Sequence, residues 1–165
     1  MATLANDYAM CSREGLDAIS AHLARLRPDQ VDALRGRLCV AFQKDVEVTD
    51  TSGGQGPVVS QIFCSGLPVA YTNVPAHHWR AFAIFVLEAA YEATMWAGAL
   101  NAQRGASNIV LLTLLGGGAF GNESNWIVDA MRRSFGIVSS HNIDARIVSY
   151  AAPSREIIDL AREFA

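Results

Sequence analysis

Two stretches of this chain carry residue types at spacings that suit chemistry. The first is Ile109-Val-Leu-Leu-Thr-Leu-Leu-Gly-Gly-Gly-Ala-Phe-Gly-Asn122, followed by Glu123-Ser-Asn-Trp-Ile-Val-Asp-Ala-Met131. It reads as a buried strand, a glycine turn and the start of a helix. Glycines let main-chain N–H groups come close to a ligand. A helix start adds unpaired N–H donors and the positive end of a dipole. Together these suit an anion, above all a phosphate. The candidate contacts are Gly116, Gly117, Gly118, Ala119, Phe120, Gly121 and Asn122. Phe120 is either a stacking ring or a core plug, and Asn122 is either a helix N-cap or a ligand contact. The second stretch is Lys44-Asp-Val-Glu-Val-Thr-Asp50. Asp45 and Glu47 stand two apart on an expected strand and so share a face. Two neighbouring carboxylates can split their pKa values and activate water. The same pattern also suits a plain solvent-facing edge.

The glycine run formally satisfies G-x-G-x-x-G. A dinucleotide site also needs an acid at the end of the next strand, about twenty residues on. The next strand ends Ile147-Val-Ser-Tyr150, and Asp144 lies before it, on the wrong side. No Lys-Ser/Thr follows the glycines, which excludes a P-loop. Other candidates are weaker. Glu88 and Glu92 are i,i+4 on an apolar helix, where they mark a wet edge or meet a ligand or backbone. Cys64-Ser65 ends a strand without a Gly-x-Ser-x-Gly elbow, so a buried structural cysteine is favoured. His22, His77, His78 and His141 lack metal-ligand spacing, so no metal is expected.

These residues must be positioned by ordinary elements. Ser12 caps a first helix with Leu16, Ile19, Leu23 and Leu26 on one face. Pro28 starts a second, striped by Val31, Leu34 and Leu38. Residues 38–43 suit a strand, and 51–57 a loop by composition. A strand covers 58–64, with 67–71 as its continuation past Gly66. Pro75 introduces a long helix over 77–103, stopped by Arg104-Gly105. A strand over 109–114, the glycine turn, a helix over 123–135, a strand over 144–150 and a helix over 155–164 capped by Ser154 complete the chain. Strands alternating with helices imply an α/β fold, its sheet covered on both faces.

The chain has 165 residues, 51% of them apolar and 18% charged, which suits one folded unit. A net charge of −3 argues against a nucleic-acid polymer as partner. Arg25, Arg27, Arg35 and Arg37 interleave with Asp29 and Asp32, as on a solvated helix face. Three widely spaced cysteines suit a reduced, cytoplasmic setting. The N-terminus has neither a basic start nor an apolar core region, so no signal peptide is expected. Residues 81–100 are apolar, but Glu88 and Glu92 argue against a membrane span.

The motifs resemble the macrodomains. The second half of that family has a helix of the type Leu-x-x-x-Tyr-x-x-x-Leu-x-x-Ala, an apolar strand, a loop ending Gly-x-Phe/Tyr-Gly, a helix and a final strand. Here they read Leu87-Glu-Ala-Ala-Tyr-Glu-Ala-Thr-Met-Trp-Ala97, then 109–115, 116–122 and 143–150. The chain is most similar to divergent, effector-type macrodomains. Those join Gln-x-Phe-Cys-Ser-x-Leu-Pro-Val-Ala-Tyr to Leu-Gly-Gly-Gly-Ala-Phe-Gly-Asn, as Gln61-Ile-Phe-Cys-Ser-Gly-Leu-Pro-Val-Ala-Tyr71 and residues 115–122 do here. The resemblance covers about residues 38–152. It implies a three-layer α/β/α macrodomain-like fold with a mixed central sheet over 38–165, preceded by a helical segment over 1–37, the whole one compact unit. It implies ADP-ribose or an ADP-ribosylated protein as partner, held at the diphosphate by the glycine turn, and no cofactor. It also implies a metal-independent ADP-ribosyl hydrolase, with Asp45 and Glu47 orienting water near the distal ribose beside Thr49. Macrodomains carry an earlier Asn-Ala-Asn loop and a second glycine-rich stretch. Residues 1–37 hold neither, which leaves two alternatives: a non-catalytic ADP-ribose or nucleotide module, or a degenerate fold that dimerises through its N-terminal helices.

Overall fold

The computed structural model describes residues 2–5, 8–50 and 54–165. The fold is mixed α/β. In chain order it runs β1 (Ala2–Ala5), β2 (Tyr8–Cys11), α1 (Arg13–Leu23), α2 (Pro28–Arg35), β3 (Ala41–Glu47), β4 (Val58–Phe63), α3 (Ala76–Gln103), β5 (Ile109–Leu112), α4 (Ser124–Ile137), β6 (Asp144–Ile147) and α5 (Arg155–Glu163). The strands pair two by two. β1 with β2 and β3 with β4 are antiparallel, and β5 with β6 is parallel.

Local chemistry explains most boundaries. Ser12 accepts a hydrogen bond from the Gly15 N–H at 3.2 Å and opens α1. Ser154 does the same for Ile157 at 3.4 Å and opens α5. Pro28 occupies the first turn of α2. α3 stops at Arg104, with Gly105 in the left-handed region at φ +80°. Two expectations change. The N-terminal segment is not purely helical, because the β1–β2 hairpin precedes α1. Residues 67–71 do not prolong β4. Pro68, which lacks an N–H, is followed by a 3-10 turn over Val69–Tyr71. Within the expected loop 51–57, residues 51–53 lie outside the described residues.

The core is built on α3. Trp79, Ala83, Leu87, Tyr91, Met95 and Ala99 fall along one line at near four-residue spacing, and all are buried. Trp126 and Met131 of α4 and Leu160 of α5 join that core. So does Leu16 of α1, which is fully buried, so the N-terminal segment shares the interior of the rest. α2 buries no residue. Its stripe Val31, Leu34 and Leu38 is half-buried, and charge holds the helix as well. Arg35 donates to Glu88 of α3, at 2.9 Å from Nε, and to Asp32 at 2.6 Å. Arg133 of α4 donates to Glu92 at 2.5 Å and to Asp32 at 2.9 Å. Glu88 and Glu92 are thus each paired with an arginine of a neighbouring helix, and Arg35 is no solvated surface charge. Among the described residues, no helix is long and apolar enough to cross a membrane.

Candidate functional site

The glycine turn is anchored at both ends. On the incoming side, the Tyr91 hydroxyl donates to the Thr113 carbonyl at 2.7 Å and accepts from the Leu115 N–H at 2.8 Å. Burial pushes this phenol well above its ordinary pKa, so it stays a neutral donor. On the outgoing side, Asn122 is buried. Its Nδ2 donates to the Leu67 carbonyl at 2.8 Å and the Gly116 carbonyl at 2.9 Å, and its N–H donates to Gly116 at 3.0 Å. Its Oδ1 is buried with no protein partner. Exchanging the amide ends would set that oxygen against two carbonyls, so Oδ1 is an acceptor in want of a donor. Asn122 is not the cap of α4; Glu123 holds that position, without a side-chain bond.

Two glycines of the turn have a packing reason. Gly116 lies at φ +74°, and a Cβ there would stand 2.6 Å from Asn122 Nδ2 and 3.1 Å from Gly66 Cα. Gly121 lies at φ +71°, and its Cβ would stand 2.7 Å from that of Ala70. The turn therefore packs directly on residues 66–70, so the two sequence motifs behind the family resemblance meet in space. Gly118 differs: it is left-handed at φ +62° with open space where a Cβ would be. Gly118, Ala119 and Phe120 form a single 3-10 turn. The loop's own backbone bonds use the N–H groups of Leu115, Gly117, Gly121 and Asn122. Those of Gly118 and Ala119 start the 3-10 turn and have no partner within it, whereas the Phe120 N–H faces the Gly117 carbonyl that opens the turn. The Phe120 ring sits edge-on to Tyr8 and Tyr71, at centroid distances of 5.6 and 5.4 Å. Tyr8 and Tyr71 are also edge-on to each other, at 5.3 Å. Sequence reasoning missed this three-ring cluster, because Tyr8 lies over a hundred positions away.

The acidic stretch lies elsewhere. A bulge breaks the β3–β4 register between Gln43 and Val46, and Asp45 takes a left-handed φ of +54°. The bulge spoils the simple alternation that would put Asp45 and Glu47 on one face. Each carboxylate has its own partner. Asp45 receives Arg104, with Nη1 to Oδ2 at 3.1 Å and a second bond from Nη2 to Oδ1. The Arg104 guanidinium holds the Asp45 carboxyl below its usual range. Glu47 accepts from the Gly56 N–H at 3.2 Å. Thr49 is exposed beyond the end of β3. Tyr91, which holds the glycine turn, and Arg104, which holds Asp45, lie on one helix about 13 residues apart, on the order of 20 Å along its axis. The structure brings Gly116–Asn122 together with residues 66–71. It does not bring Asp45, Glu47 or Thr49 to that turn.

Comparison with protein families, curated proteins and solved structures finds no match to this chain.

Proposed function

We propose that this chain is a macro-like module that binds ADP-ribose or a related nucleotide sugar without hydrolysing it. The diphosphate lies on the N–H groups of Gly118 and Ala119, close to the N-terminal end of α4. The observation that carries this reading is the packing of residues 115–122 on 66–71. The two motifs most similar to effector-type macrodomains form one unit, clamped by Tyr91 and Asn122. A three-layer α/β/α arrangement and a cytoplasmic setting belong to the same reading, although the strands pair two by two and not in the one mixed sheet that the resemblance implies. Binding is favoured over hydrolysis by the Asp45–Arg104 pair, which occupies the expected base at the far end of α3.

Titration calorimetry with ADP-ribose tests the proposal. The wild type binds, and binding is lost in Gly118→Asp but kept within a few-fold in Gly118→Asn. Asparagine and aspartate both tolerate a left-handed backbone, so the pair isolates the charge placed against a phosphate. No binding at millimolar ADP-ribose overturns the reading, as does equal affinity of the two variants. Release of ADP-ribose from a modified protein would restore the hydrolase reading.

A further inference from the structure

The outer arc of the glycine turn, residues 118–120, is held less firmly than its flanks. Gly116 and Gly121 pack on Gly66 and Ala70, whereas Gly118 and Ala119 are exposed, and a Cβ on Gly118 would meet open space. The Gly121 N–H closes the arc on the Gly118 carbonyl at 3.1 Å. Phe120 carries the one large side chain of the arc, and it is half-buried. Its ring lies edge-on to Tyr71 at 5.4 Å and to Tyr8 at 5.6 Å, within the range that aromatic pairs favour. Tyr71 belongs to the segment on which the turn already packs. Tyr8 comes from elsewhere, at the start of β2.

The far end of that strand is fixed. Cys11 closes β2 inside the core, and Leu16 of α1 follows it there. The rest of the N-terminal hairpin has less support. Among the described residues β1 pairs with β2 and with no other strand. A two-stranded hairpin is marginal by itself. The hairpin and the arc are thus each weakly held, and they share the contact between Tyr8 and Phe120. Two weak elements that share a contact stabilise each other. By linkage, if a docked hairpin raises the affinity of the arc for a ligand, the ligand favours the docked hairpin by the same factor.

We propose that Tyr8 is a positioning residue of the binding site. Through its ring the N-terminal hairpin holds residues 118–120 in the shape that takes a phosphate, and bound ligand in turn holds the hairpin. This rests on the reading of the glycine turn as the diphosphate site. The test uses the full chain, Tyr8→Ala and Tyr8→Phe, with amide hydrogen exchange measured before and after adding ADP-ribose. Without ligand, Tyr8→Ala speeds exchange at Gly121 roughly fivefold or more, the size of one aromatic pair. Exchange at Leu115, which Tyr91 holds, stays as it was, whereas a general loss of stability would speed both. ADP-ribose affinity falls roughly fivefold or more in Tyr8→Ala and is kept in Tyr8→Phe, because the ring makes the contact. Saturating ADP-ribose slows exchange along the β1–β2 ladder of the wild type by a similar factor, and Tyr8→Ala abolishes that slowing. Should Tyr8→Ala unfold, two wild-type measurements decide: nuclear Overhauser effects between the Tyr8 and Phe120 ring protons, and the slowing of the ladder by ligand. Unchanged Gly121 exchange or unchanged affinity in Tyr8→Ala overturns the proposal, as does a ladder indifferent to ligand. A wild type that binds no ADP-ribose at millimolar concentration overturns the reading of the site instead, and Gly121 exchange then still decides the ring contact.

Discussion

The glycine turn and the β3–β4 hairpin were equally prominent as stretches of sequence, yet the fold treats them in opposite ways. The turn is knit in. Tyr91 and Asn122 satisfy its backbone from both sides, and Gly116 and Gly121 let it lie against residues 66–70. The hairpin stands out. β3 and β4 pack chiefly on each other, and Phe42, Val58 and Phe63 are each more than half exposed or nearly so. A two-stranded hairpin is marginal alone. The Asp45–Arg104 ion pair ties it to the end of α3. A site that must hold a ligand in one geometry needs the first kind of environment. An exposed carboxylate on a bulged edge already has a cation to satisfy it.

This contrast predicts a graded set of mutational effects. The largest is Gly116→Ala, which combines a left-handed φ with a Cβ driven against Asn122 and Gly66. It lowers unfolding free energy by roughly 3 kcal/mol or more in urea titration. Next comes Tyr91→Phe. It strips a donor from Thr113 and an acceptor from Leu115 at part-buried positions, with a loss of about 1–3 kcal/mol. A Tyr91→Phe protein as stable as wild type would mean that the turn is not clamped there. Phe63→Ser on the hairpin changes stability far less, within about 1 kcal/mol, because the ring is already half exposed. The smallest effect is electrostatic. The depressed Asp45 pKa makes a contribution that is present above the ordinary carboxylate value of about 3.9 and fades as pH falls through the lower folded value. Carbon-detected NMR titration should place Asp45 below its usual range. In Arg104→Ala it should return towards that range, and an unmoved value would dissolve the pair.

The long helix was legible from Pro75 and from the Arg104-Gly105 stop, and α5 from Ser154. Each rests on a few adjacent residues. The glycine turn was legible for the same reason, since a left-handed backbone favours glycine wherever it occurs. The β1–β2 hairpin was not, because its short strands carry little alternation of their own. The carboxylate pair misled, since alternation along β3 assumes an unbroken register and the bulge at Asp45 breaks it. Glu88 and Glu92 misled too. Their partners Arg35 and Arg133 lie 53 and 41 positions away.

The sequence by itself determined the caps, the helix limits and the places where the chain must turn sharply, because each depends on a residue and its nearest neighbours. Only the tertiary structure decided what each polar group faces: Asp45 meets Arg104, and Asn122 bridges Leu67 to Gly116. Those pairings follow from which distant segments pack together, and burial then demands partners for whatever polar groups are enclosed.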